Sequence, residues 1–211
     1  MKLDLTVPTT LSDIPLHQYQ KFVETFEDED ALETYTEEFA GLKMLEIFCG
    51  LKTSEALKIK ISDLNKIVDV LNNALAEKPS LIQRFKIGKT EFGFVPQLDN
   101  MTFGEFIDIE NNITNWSTMH AAMAVLYRPI INKHKDKYEI EEYRGDNWHV
   151  AMKNMPAAVA VSALVFFYNL ENDLLRVTAD FGQSKQTQDN KTWTQPQTLA
   201  VSGAGTQAST D

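Results

Sequence analysis

The stretch Gly93–Ile130, GFVPQLDNMTFGEFIDIENNITNWSTMHAAMAVLYRPI, holds aromatics, carboxylates, a histidine, an arginine and a tryptophan in close succession. Such a mixture suits an active site, and it suits a folding nucleus equally well. The spacing favours the nucleus. As the stretch opens, Phe92 and Phe94 alternate with polar or small residues, as Phe85 and Ile87 do before them, and Gly88-Lys89 lies between the two runs. Period-two alternation marks strands, and glycine at the first central position permits positive φ, so residues 84–95 read as a β-hairpin. Thr102 and Glu105 then stand three apart in TFGE, the spacing of a capping box in which each side chain accepts from the other's backbone amide. They start a helix, GEFIDIENNI, expected to pack Phe103, Phe106, Ile107 and Ile113. A second helix from about Asn115 carries Trp116, Met119, Met123 and Leu126. Pro129 ends it, because the residue before a proline avoids helical backbone. Arg128 is placed to pair with Glu105 or Asp108 and clamp the two helices together.

On the N-terminal side, Leu3, Leu5 and Val7 alternate as a short edge strand that Pro8 ends. From Pro15 to Phe26, Leu16, Tyr19, Phe22, Val23 and Phe26 recur at steps of three and four, which makes an amphipathic helix. In EDEDALETYTEEFAGLKMLEIFCG, Glu27 to Asp30 suit the positive start of a helix and Gly50 its C-terminal cap. SDLNKIVDVLNNALAEKP is a third helix, with Ser62 as cap, Leu64, Ile67, Val68, Leu71 and Leu75 on one face, and Pro79 as its stop.

On the C-terminal side, KYEIEEY reads as another strand near 138–143. NMPAAVAVSALVFFYNLENDLLRV is the most hydrophobic segment, with Pro156 in the first turn, and is expected to be the central helix. After Phe181 the chain turns to Gln, Thr, Ser and Gly, a composition that buries too little to offset chain entropy. The predicted class is therefore mainly α (α+β): a helical domain over residues 1–182 with a hairpin and short extra strands, then a disordered polar tail over 183–211.

The chain has 211 residues and a net charge of −10, with 43% hydrophobic and 24% charged residues. That balance suits a globular protein and argues against nucleic acid as the main partner, since phosphate binding needs clustered cations. The single cysteine, Cys49, has no internal disulfide partner, which points to a reducing compartment. The N-terminus carries Asp4 and Pro8 where a signal peptide needs an apolar run. The longest apolar run, Met155–Leu170, is shorter than the ~20 residues a bilayer requires and runs into Glu171 and Asp173, so it reads as a buried helix.

No catalytic constellation emerges. The four histidines, His17, His120, His134 and His149, lack metal-ligand spacing, and no HExxH, GxSxG or glycine-rich phosphate loop occurs. His120, with Asp108 and Glu110 upstream, is the one candidate metal ligand. Its ordinary reading is a helix histidine hydrogen-bonded to a neighbour. Cys49 sits on an apolar helix face beside Phe48 and reads as packing. Glu141 and Glu142 would face opposite sides of a strand, a poor arrangement for acid–base work. The expectation is a protein without catalytic residues, cofactor or metal. Eight acids and no base lie between Glu24 and Glu38. This run is either a solvated helix face or a docking surface for a basic partner.

At SDIPLHQYQKFV, GFVPQLDNMTFGEFIDIENNI, MHAAMAVLYRPI and KYEIEEYRG the chain resembles small proteins encoded among the tail and virion genes of tailed bacteriophages, and tail assembly chaperones in particular. The resemblance covers roughly Leu3 to Leu175 and includes no catalytic signature. It implies an acidic, mostly helical protein of the host cell cytoplasm that binds the tape measure protein and promotes tail-tube polymerisation. The implied partners are other phage proteins, the tape measure or tail and head components, with self-association left open and no membrane or nucleic acid. Candidate partner-binding residues are Glu29, Asp30, Glu33 and Glu37 on the acidic run, Met119 and Met123, and Trp193 in the tail. Met119, Met123, Met152 and Met155 either shield apolar segments of a partner or fill the core. The alternative function is a structural virion component, a head or connector accessory protein whose C-terminal arm orders on assembly.

Overall fold

A computed structural model describes residues 5–27, 36–135, 137–145, 148–170 and 172. The chain divides into two compact units, Met1–Tyr168 and Asn169–Asp211. In the second, only residues 169, 170 and 172 are described. The predicted tail, 183–211, lies outside the described residues, as does the boundary placed at 182.

The first unit is α+β. Its helices are α1 (Leu16–Phe26), α2 (Glu37–Cys49), the short α3 (Thr53–Ala56), α4 (Ile61–Leu75), α5 (Phe103–Ile113), α6 (Met119–Leu126) and the short α7 (His149–Met152). A further helix, α8, runs from residue 157 to the end of this unit at 168. The strands β1 (Arg84–Ile87), β2 (Thr90–Phe94), β3 (Tyr127–His134) and β4 (Lys137–Ile140) form one sheet in the order β1-β2-β3-β4, antiparallel throughout.

The hairpin forms as its sequence requires. Ile87 pairs with Thr90 across Gly88-Lys89, and Gly88 has φ +57. Phe85, Phe92 and Phe94 share one face of the sheet with Tyr127. The Phe85–Phe92 rings stack at 5.5 Å, and Tyr127 meets Phe85 and Phe94 edge-on at 5.3 and 5.2 Å. On the opposite face Tyr138 lies over Gly93, where a Cβ would stand 2.9 Å from Tyr138 Cδ2. Glycine is therefore required there for close approach rather than for backbone freedom.

Helix α8 is central, as expected. Val159, Ala160 and Ala163 belong to the cluster under the sheet, and Ala157 and Ala158 to a second cluster with Met44, Ile47, Phe48 and Leu71. Small side chains let both layers approach one helix. Its start is tied to the N-terminal segment, since Leu16 N donates to Met155 O and Ala157 N to Ile14 O, both at 2.8 Å. Inside this core the hydroxyl of Tyr127 donates to Ile82 O at 2.9 Å, and Ile82 N donates to Ser162 Oγ at 3.1 Å.

Several expectations are corrected. Residues 5–7 form no strand, while Leu3 lies outside the described residues. The described part of α2 begins at Glu37, with Thr36 Oγ1 accepting from Phe39 N; Gly50 caps its end at φ +67 as expected. Ser62 lies inside α4, whose N-cap is Lys60 with no side-chain cap. The helix ending before Pro129 stops at Leu126, and β3 begins at Tyr127 with no loop between them. Pro129 therefore sits in a central strand opposite Phe92, where its carbonyl accepts from Glu141 N. Strand β4 ends at Ile140, so Glu141 and Glu142 are not strand residues.

The Thr102–Glu105 capping box is present, with Thr102 N donating to Glu105 Oε2 at 2.7 Å and Glu105 N to Thr102 Oγ1 at 3.3 Å. Arg128 pairs with Glu105 Oε1 at 3.0 Å, but it lies on β3, so the clamp joins α5 to the sheet and not to a second helix. Turning Glu105 inward turns Phe103 and Phe106 outward, to 77% and 56% exposure, contrary to the expectation that they pack. At 100° per residue, Ile109 follows Glu105 inward in their place, and Ile113 packs as expected.

Candidate functional site

Met119 and Met123, candidates for shielding a partner, are 1% and 0% exposed, and Met152 and Met155 are 0%. They are core filler. A side chain that touches no solvent presents no docking area, and flexible methionines suit the irregular space between the sheet, α6 and α8. Glu29, Asp30, Glu33 and Trp193 lie outside the described residues. Glu37 is described, and it leads to a groove.

The groove runs between α2 and α4 and encloses about 640 Å³. Each helix has an inward stripe, Met44, Leu45, Ile47 and Phe48 on α2 and Leu64, Leu71 and Ala74 on α4. The two pack closely at Gly41, where a Cβ would stand 3.1 Å from Val68 Cγ2 and 3.8 Å from Leu64 Cδ1. Beside that contact, Ala40, Met44, Leu64 and Val68 line an apolar floor, and Ile61 stands at its rim. Glu37 and Glu38 stand on the α2 wall, Asp69 with Asn65 and Asn72 on the α4 wall. All five polar residues are exposed, and Ile61 is 70% exposed.

The charge is one-sided. Among the described residues, the ion pairs of these helices are Lys43–Glu46 and Lys66–Asp63, and neither uses a groove acid. Glu37 and Glu38 also occupy the first turn of α2, where the helix dipole favours anions. Asp69 has no such reason for its place. Exposed carboxylates that form no ion pair among the described residues therefore border the groove on both sides.

Three of the polar residues singled out for chemistry, His120, Asp108 and Glu141, are otherwise engaged. His120 Nδ1 lies 3.1 Å from Gln20 Nε2, an amide donor that also bonds Ser117 O at 3.2 Å and the carbonyl of Trp116. Nδ1 thus accepts. Burial first, then Lys153 and His149, holds the His120 imidazole below the ordinary histidine range. Tyr143 donates to Asp108, and Trp148 Nε1 donates to Glu141 at 3.1 Å. Burial pushes the Cys49 thiol up, which disfavours a thiolate. Among the described residues no three His, Cys, Asp or Glu side chains gather in a metal-binding group, and no helix is long and apolar enough to cross a membrane.

No family model, curated protein or solved structure matches the chain. The groove itself was not legible as a site. The sequence signals only the two amphipathic helices and the acids at the start of α2; that Asp69 joins them across an apolar floor depends on how the helices cross.

Proposed function

We propose that the chain is a non-catalytic phage assembly protein that holds an apolar segment of a partner, as a tail assembly chaperone holds the tape measure protein. The observation that carries the reading is the α2–α4 groove, with its apolar floor and the exposed carboxylates of Glu37, Glu38 and Asp69. Apolar burial supplies affinity there and the carboxylates steer a basic partner, which a chain of net charge −10 otherwise attracts without choosing a place. On the resemblance to phage tail-gene products, the setting of this reading is the host cell cytoplasm during tail building.

Co-expression with the tape measure protein tests the reading. The wild-type chain raises that partner's soluble yield, and the triple variant Glu37→Lys, Glu38→Lys, Asp69→Lys does not. Stoichiometric recovery of the chain in mature virions, with tape measure solubility unchanged, would replace the chaperone by a structural virion component.

A further inference from the structure

The groove walls carry more information than charge. On α2, Glu37, Glu38, Ala40, Gly41 and Met44 line the groove, one face of that helix over two turns. On α4, Ile61, Leu64, Asn65, Val68, Asp69 and Asn72 line it at alternating steps of three and one, one face over three turns. This is the spacing with which two helices present a seam to a third, because a 3.5-residue repeat keeps one face turned toward a partner helix. An extended strand asks for something different, a row of backbone donors and acceptors along its path. Walls made of two α-helices supply no such row, since their interior amides and carbonyls are bonded within each helix and only first-turn amides, as at Glu37, Glu38 and Ile61, lie outside that bonding.

From this geometry we infer that the groove takes an amphipathic α-helix of about three turns, with Lys or Arg on both edges of a narrow apolar stripe. The inference rests on the reading of the groove as the partner site. The length follows from α4, where residues 61 to 72 span about 16 Å at a rise of 1.5 Å per residue. Cations belong on both edges because Glu37 and Glu38 stand on one wall and Asp69 on the other. The stripe is narrow because Asn65 and Asn72 interrupt the apolar floor on the α4 side, and a wide apolar face would bury their amides without partners.

Three fluorescein-labelled synthetic peptides test this by anisotropy against the full chain. The first is a Leu/Lys helix of about 14 residues with leucines at i, i+4, i+7 and i+11, matched to the seam spacing. The second has a proline at its centre, and the third has every lysine replaced by glutamate. The first peptide binds, and binding weakens as salt rises. The proline peptide binds at least about 10-fold more weakly, since proline disrupts a helix interior. The glutamate peptide does not bind.

In the protein, Ala40→Trp fills the floor and weakens the first peptide at least about 10-fold, as expected for a blocked pocket. Asp69→Lys, at an exposed position that leaves folding intact by circular dichroism, weakens it and flattens the salt dependence. Equal binding of the proline peptide overturns the helical occupant while the groove survives as a site. Binding that Ala40→Trp and Asp69→Lys both leave unchanged overturns the groove itself. No binding of the first peptide to the wild-type chain overturns the inference about the occupant, and the co-expression experiment still tests the function.

Discussion

Replacing Glu105 by alanine removes two supports at once. Its Oε1 accepts from Arg128 at 3.0 Å, and its Oε2 accepts from Thr102 N at 2.7 Å and Thr102 Oγ1 at 2.8 Å. The side chains of Arg128 and Glu105 are only 11% and 5% exposed, so solvent does little to screen the charge that alanine leaves behind. Arg128 Nε is buried with no hydrogen-bond partner, which leaves the guanidinium still more dependent on this carboxylate. Breaking a buried pair from one side costs about 3–5 kcal/mol. At 2–4 °C per kcal/mol for a chain of this size, the melting temperature falls by roughly 6–20 °C. Urea denaturation followed by circular dichroism gives the free energy directly. The double variant Glu105→Leu, Arg128→Met removes both charges and recovers most of the loss, apart from about 1 kcal/mol for the missing cap partner. A loss below about 1 kcal/mol in Glu105→Ala, the size of a surface pair, would refute the claim that the clamp is desolvated.

Three further outcomes follow from the described contacts. Gly93→Ala pushes a methyl into the Tyr138 ring and should destabilise by about 1–3 kcal/mol, and Tyr138→Ala in the same chain should relieve much of the clash. Tyr127→Phe leaves Ile82 O without its hydroxyl donor inside the core and should cost about 1–3 kcal/mol in urea unfolding, with little change in m. His120 is held below its unfolded value, so its contribution is present above pH ~6.5 and is lost as pH falls through that value toward its folded pKa. His120→Asn keeps an acceptor toward Gln20 and does not titrate. Wild type should therefore lose stability relative to this variant between pH 7.5 and 5, and parallel stability curves would refute the assignment.

Features governed by near neighbours were determined by the sequence itself. The Gly88 turn, the Thr102–Glu105 box and the Gly50 cap each involve residues within a few positions of one another, and each forms as its chemistry demands. The burial of the first half of α8 was likewise legible, because a helix apolar on every face has to be enclosed, but its end is not enclosed: Tyr168 is 67% exposed. Tertiary structure decided the rest. Strand β3 carries Pro129 and follows α6 without a loop; it exists because β2 offers Phe92, Gly93 and Phe94 as partners, and no local propensity encodes that pairing. Phe103 and Phe106 face outward because Glu105 is held inward by Arg128 from a distant strand, and that ion pair outweighs the apolar pattern of the helix. Met119 and Met123 are core and Asp69 borders a groove for the same reason. Amphipathic periodicity says that a helix has an inner face, but which residues end up facing solvent depends on what packs against it.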